Sequence, residues 1–409
     1  MIQFTRAKRK VLVAGYSADA ALLDALASYA REHDWHLITD MLSTGAFPQG
    51  WRGDGAIAMV SYDPELLTQI ASIGVPTVAI TSTNEPVSLP RVEDDHYEIG
   101  RAAAEHLLSR AHRNFAWAPL VDDRPNRERH RGFQSRLAEQ GLGCVALPTA
   151  HAWAGLSWQC RWNEYRRRLA GDIHRLPRPT AIFAFNDAVA ANLVDACRDL
   201  DIAVPEELAI IGVGNDALVR AALPVPLSTV ELDHDGKARV AGEMLDSLMQ
   251  GRPVLANAMR VAPRGVITRR STDFSAVADP RVARALAYIT DNYPNPLLSV
   301  ADVADAAGVS RRQLERDFRA ATGCSIREHI ARTRMQEASR LLTTHPRVKI
   351  TEIAELAGFA GAGNFFRTFR QFYGMSPHAH RARAVRELSV TAASGPAEPA
   401  LLEREIVSA

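Results

Sequence analysis

Two copies of one pattern near the C-terminal end of this 409-residue chain constrain its fold more than any other feature. The first copy is Val300–Ser310 followed by Arg311–Arg319. The second is Ile350–Phe359, then, after residues 360–363, Asn364–Arg370. Each reads as a short amphipathic helix, a glycine stop at Gly308 or Gly358, and a second helix rich in arginine. That is the layout of a helix-turn-helix, whose second helix enters the DNA major groove. A pair of them implies a protein that reads two adjacent groove segments.

Charge supports this only through its distribution. The whole chain balances 48 basic against 47 acidic residues, but residues 281–382 hold 15 against 9 and residues 11–280 hold 26 against 34. An acidic front with a basic back fits a nucleic-acid module joined to something else. Cys144, Cys160, Cys197 and Cys324 are scattered with no C-x-x-C spacing, which argues against a zinc site or a disulfide framework and places the chain in a reducing cytoplasm. The basic Met1–Lys10 segment leads into a strand-like run, not a signal-peptide core. No apolar stretch reaches the roughly 18 residues of a membrane helix.

Before residue 270, short apolar runs alternate with amphipathic helices. Runs at Val11–Val13, Ala56–Val60, Thr77–Ile80, Phe115–Ala118, Cys144–Leu147, Ala181–Phe185 and Ala209–Val213 are separated by helical patterns such as Ala20–Arg31, Tyr97–Arg110 and Ala188–Leu200. This spacing predicts βαβ units and parallel sheets, arranged as two doubly wound lobes. Ligands of such sheets sit outside the carboxyl ends of the strands. The loops expected to matter are Gly15–Ser17 (with Tyr16), Ser61–Asp63, Thr81–Asn84, Asn186–Asp187 and Gly214–Asp216. Neither a dinucleotide fingerprint nor a P-loop is present, and no hydrolase or zincin motif, so no catalytic set, cofactor or metal is expected.

A resemblance sharpens the reading. Val204–Val213 with Asn215–Asp216, Phe185–Ala190, the Val92-x-x-Asp95-x-x-x-x-Gly100 run and Arg129-x-x-Gly132–Phe133 resemble the sugar-binding regulatory domain of the LacI family. The resemblance implies a two-lobed, periplasmic-binding-protein-like fold over residues 9–272, with a small sugar effector in the cleft. It implies Arg129 as the effector-gripping arginine, with Asn186, Asp187 and Asn215 as polar partners. Arg129 and Asn186 are expected on different lobes, closing over the ligand. The family usually carries Asp where this chain has Gly214. Trp153, Trp158 and Trp162 are candidates for stacking on a sugar face, or for packing the hinge.

Residues 281–382 resemble the DNA-binding domain of the AraC family, through both helix pairs, Gly323-x-Ser325, the helix with Ile330, Arg334, Ala338, Leu341 and Leu342, and Phe369-x-x-x-x-Gly374-x-Ser376–Pro377. By the same resemblance, the joined pair of domains implies xylose as effector, and Gly214 with the tryptophans leaves other pentoses, hexoses and sugar acids open. Residues 273–280 are read as a linker and 383–409 as a disordered tail.

In the first recognition helix, Leu314, Phe318 and Ala321 should face the core. Arg312, Glu315, Arg316 and Arg319 share the opposite face behind Arg311, and arginine suits bidentate contact with guanine. The second helix offers Gly363, Asn364, Phe366, Arg367 and Arg370 outward, with Phe365, Phe369 and Phe372 as its core face. It should add phosphate contacts and shape sensing more than base reading. The helix Ser325–Leu342 should hold the two units about one DNA turn, ~34 Å, apart. The expected protein is a regulator, an activator in this reading, that binds promoter DNA and a sugar, works with RNA polymerase and forms a homodimer. Two alternatives stay open: a ligand-independent regulator whose front domain only dimerises, and a cleft enzyme.

Overall fold

The computed structural model describes residues 8–16, 19–48, 50–60, 64–81, 89–147, 158–254, 258–274, 279–345 and 348–381. The tail from 383 and Trp153 therefore lie outside the described residues, as do the loops 61–63 and 82–84 and the linker residues 275–278.

The front of the chain forms two six-stranded sheets. The first contains β1 (Arg9–Ala14), β2 (Trp35–Ile38), β3 (Gly55–Val60), β4 (Thr77–Thr81), β5 (Arg91–Asp94) and β11 (Ala258–Val261), in the order β11-β5-β4-β3-β1-β2 and parallel throughout. The second contains β6 (Asn114–Ala118), β7 (Val145–Ala146), β8 (Thr180–Ala184), β9 (Leu208–Val213), β10 (Ser228–Glu231) and β12 (Gly265–Ile267), in the order β12-β10-β9-β8-β6-β7. Only β12 runs antiparallel to its neighbour. Strands such as β8 and β9 are buried along their whole length, which explains their continuous apolar runs.

On the first sheet lie helices α1 (Ala20–Glu32), α2 (Asp40–Thr44), α3 (Pro64–Ile73) and α9 (His234–Met249). On the second lie α4 (His96–Ser109), α5 (Arg124–Ala138), α6 (Trp158–Arg175), α7 (Asp187–Asp199) and α8 (Ala217–Ala222). Chain order and sheet order together show three passages between lobes: from β5 into α4, from β10 into α9, and from β11 to β12. At the carboxyl ends of the strands a short polar residue starts the next helix. Asp19, Asp95, Asp123, Asn186, Asp216 and Asp233 each accept a backbone N–H of the helix that follows. These oxygens satisfy donors that a helix start would otherwise leave unpaired.

Helices α4 and α5 cross with their backbones almost touching. A Cβ on Gly100 would stand 2.0 Å from the Arg129 carbonyl oxygen, and one on Gly132 2.0 Å from that of Tyr97.

The back of the chain is helical: α10 (Pro280–Asn292), α11 (Val300–Ala307), α12 (Arg311–Thr322), α13 (Ile326–Thr344), α14 (Ile350–Leu356) and α15 (Ala362–Tyr373), with helix again over 377–381. Capping boxes fix the starts of α11 (Ser299 with Asp302) and α13 (Ser325 with Glu328). Ile326 and Ile330 of α13 join the core of α10, α11 and α12, whereas Met335, Ala338, Leu341 and Leu342 join that of α14 and α15. One helix thus braces both helix-turn-helix units. The expected core face of α15 needs correction. Phe365 and Phe369 are fully buried, but Phe372 is 45% exposed. Tyr373 takes the inner place, its ring 4.6 Å from that of Phe369 and its hydroxyl donating to the Met335 carbonyl. At about 100° per residue the buried face centres near Phe369, so Tyr373 lies within it and Phe372, roughly 20° behind Phe365, falls at its exposed edge.

Candidate effector cleft and nucleic-acid interface

Arg129 is 5% exposed and sits in the first half of α5. Its guanidinium lies 4.2 Å over the Phe185 ring, donates from Nη1 to the Phe185 carbonyl, and donates from Nε to His96 Nδ1 at 3.3 Å. His96 opens α4, immediately after the passage from the first sheet. Burial first, and the Arg129 charge second, push its pKa down to about 3, so the ring is neutral at pH 7. With Nδ1 accepting, the proton resides on Nε2, which meets no partner among the described residues.

Charged groups surround this pair. The Lys237 ammonium of α9 lies 3.0 Å from Asp94 at the end of β5, both nearly buried. Burial, the largest single influence, would raise the Asp94 carboxyl, but Lys237 together with the neighbouring His96 and Arg129 holds the group below its usual range. Glu93 accepts from Arg91 at 2.6 Å and from Arg124 at 2.8 Å, and Glu128 faces both Arg124 and Arg260 at 3.3 Å. Arg124 and Glu128 belong to α5 of the second lobe, Glu93 and Arg260 to strands of the first, so these ion pairs clamp the lobes together at the passage. Sequence reasoning did not single out His96, Lys237, Glu93 or Arg124. The one usable signal was the position of His96, next to Asp95 of the Val92-x-x-Asp95 run.

The expected placement of Arg129 and Asn186 on different lobes is wrong. Both stand on the second sheet, on α5 and at the start of α7. The Asn186 side chain accepts from the Val189 N–H at 2.9 Å as the cap of α7. Asp187 is 3% exposed and uses both oxygens, one on the Thr229 hydroxyl at 2.8 Å and one on the Asp216 N–H at 2.7 Å. Its burial raises the carboxyl pKa. Asp187 therefore braces the loop that carries Asn215. The Asn215 oxygen accepts from Arg269 at 2.7 Å and from Arg220 at 3.1 Å. Gly214 has φ +120°, a conformation that strains any other residue, although a Cβ there would meet open space. The departure from Asp at this position matches that backbone. Tyr16 is 43% exposed at the end of β1, on the first lobe. Trp158 and Trp162 lie on α6.

On the back domain, Ser310 caps α12 and Leu314 and Phe318 anchor it. Arg311, Arg312, Glu315, Arg316 and Arg319 are all exposed on its outer side. Glu315 accepts from Arg311 at 2.9 Å, and Asp317 from Arg316 at 3.1 Å. On α15, Gly363, Asn364, Arg367 and Arg370 are exposed and Asn364 accepts from Arg367 at 3.1 Å. Phe366 is half-buried and stacks on His378 with ring centroids 5.9 Å apart. The exposed arginines on the second helix of each unit are suited to phosphates and guanine edges.

Comparison with known proteins agrees with this anatomy. Residues 104–272 match the periplasmic binding protein-like domain and residues 303–383 match a helix-turn-helix domain. The chain is a transcription regulator with an AraC-type helix-turn-helix domain. It is 29% identical to the xylose operon regulatory protein of Escherichia coli K12 over 92% of this chain and 98% of that one. The protein of the same name in Haemophilus influenzae is 27% identical over 80% of this chain and 84% of its own. A solved structure described as the xylose-binding transcription activator xylR is 26% identical, covers 93% of this chain and 99% of its own, and superposes with a TM-score of 0.58. A regulator in complex with cellobiose, 19% identical, shares the front fold with a TM-score of 0.50 over 64% of this chain and 85% of its own. These relatives are regulators, not enzymes. Among the described residues no helix is long and apolar enough to cross a membrane.

Proposed function

We propose that this regulator activates transcription from a promoter in response to a small sugar, with xylose the first candidate, acting as a cytoplasmic homodimer that engages RNA polymerase. The observation that carries the reading is the similarity of the whole chain, both domains in the same order, to proteins named for xylose regulation. In this reading Arg129 grips the sugar from the second lobe, Asn186 and Asn215 line the same side, and Tyr16 approaches from the first lobe. The exposed arginines of α12 read bases, and those of α15 hold phosphate. The map is a sensor over residues 9–272 and a DNA-binding domain over 281–382.

A thermal-shift screen of monosaccharides on the full chain tests the sensor. A ligand bound only by the native state at a hundred times its Kd adds about 2.7 kcal/mol of stability. D-xylose is expected to raise Tm, and Arg129→Ala to weaken its binding tenfold or more, because hydroxyls left unpaired in a closed cleft cost roughly 1–3 kcal/mol. One observation favours a second reading, the ligand-independent platform: Arg129, Asp187 and Asn215 already have protein partners. A flat screen across pentoses, hexoses and sugar acids would select it.

A further inference from the structure

We infer that α4 is the element that couples the cleft to the DNA-binding domain. The inference rests on the reading that the cleft around Arg129 holds the effector. At its first residue, His96 takes the Nε hydrogen of Arg129. One turn on, Gly100 lets α4 press against the carbonyl of the same Arg129, with no side chain between the two backbones. The helix then runs 14 residues, about 21 Å at 1.5 Å per residue, without a proline.

Its far end is built into the DNA-binding domain. The Glu105 carboxylate accepts from Arg136 of α5 on one oxygen and from Gln336 of α13 on the other, each at 2.5 Å. Just past the helix, Ala111 is buried within the core of the first helix-turn-helix unit, among Val282, Leu286, Ile289, Leu314 and Phe318. Arg110 pairs with Asp273 at 3.2 Å, so the start of the linker is tied to the same place. An effector that shifts Arg129 must carry α4 with it, because neither the imidazole contact nor the backbone crossing leaves slack. The shift arrives at α13, which braces both recognition helices. A tilt of that one helix changes how both meet DNA.

Hydrogen exchange on the full chain at pH 7 tests this without ligand. His96→Asn and, separately, the milder Arg129→Lys disturb the cleft end of α4. Each is expected to change exchange in residues 326–344 about fivefold or more, in keeping with ordinary coupling energies. In a Gln336→Ala background the α13 response should shrink, with only the route through Ala111 left, while the response in α5 persists. An unchanged α13 in both single variants overturns the coupling, as does an α13 response that Gln336→Ala leaves at full size. Added D-xylose supplies a separate arm: protection at neither α5 nor α13 counts against the xylose reading, and the variant arms still decide the coupling.

Discussion

The two helix-turn-helix units share a plan and differ in almost every detail of execution. The first has a serine cap, five exposed charged residues on its recognition helix, and a core completed by Ala111 from the sensor. The second begins at Gly361 with no side-chain cap, offers Gly363 and a half-buried Phe366 where the first offers charge, and among the described residues has a core drawn from the DNA-binding domain. In the function proposed above, discrimination and control are concentrated in the first unit, while the second supplies grip.

Acid should separate the units most strongly. Burial pushes His112 and His329, at the joint beneath the first unit, down to about 4 from an ordinary value near 6.5. A folded-state pKa below the unfolded one means that the unfolded chain binds protons first, so stability is lost as pH falls from about 6.5 toward 4. Each histidine contributes a slope of about 1.4 kcal/mol per pH unit in that window. Hydrogen exchange at pH 5, corrected for intrinsic rates, should show α10 to α12 loosening before α14 and α15; simultaneous loosening would erase the distinction.

Base reading comes next. Arg316→Ala is expected to cost about 1–3 kcal/mol of operator affinity and to relax preference at one base position. Arg370→Ala should weaken all sequences alike and lower the salt slope by about one. Equal loss of selectivity in both variants, read by binding-site selection, would make the units equivalent. The smallest effect is in the caps: Ser310→Ala should cost about 1 kcal/mol in thermal unfolding, and Gly361→Ala less, since no side-chain bond is lost there.

Much of this was legible in the sequence because it follows from periodicity. The helix pairs, the two α/β lobes and the outer face of α12 were read from spacing of apolar residues and glycines. What escaped reading lies where no period speaks. Strands β2, β5, β11 and β12 are four residues or fewer, and the passages between lobes leave no pattern, so Arg129 was given to the wrong lobe. The cleft network was hidden because Glu93 and His96, Arg124 and Arg129, and Lys237 come from three segments that meet only in the fold. The Phe372 error came from centring the buried face of α15 on Phe365, when it is centred nearer Phe369 and Tyr373.

The crossing at Gly100 and Gly132 limits how this protein can drift over generations. Each glycine faces not the other glycine but a peptide oxygen of the opposite helix. A substitution at one position therefore finds no second-site change that relieves it, since a backbone oxygen cannot be mutated away. Descendants can alter almost any neighbouring side chain, but these two positions must stay bare for as long as the two helices keep their separation.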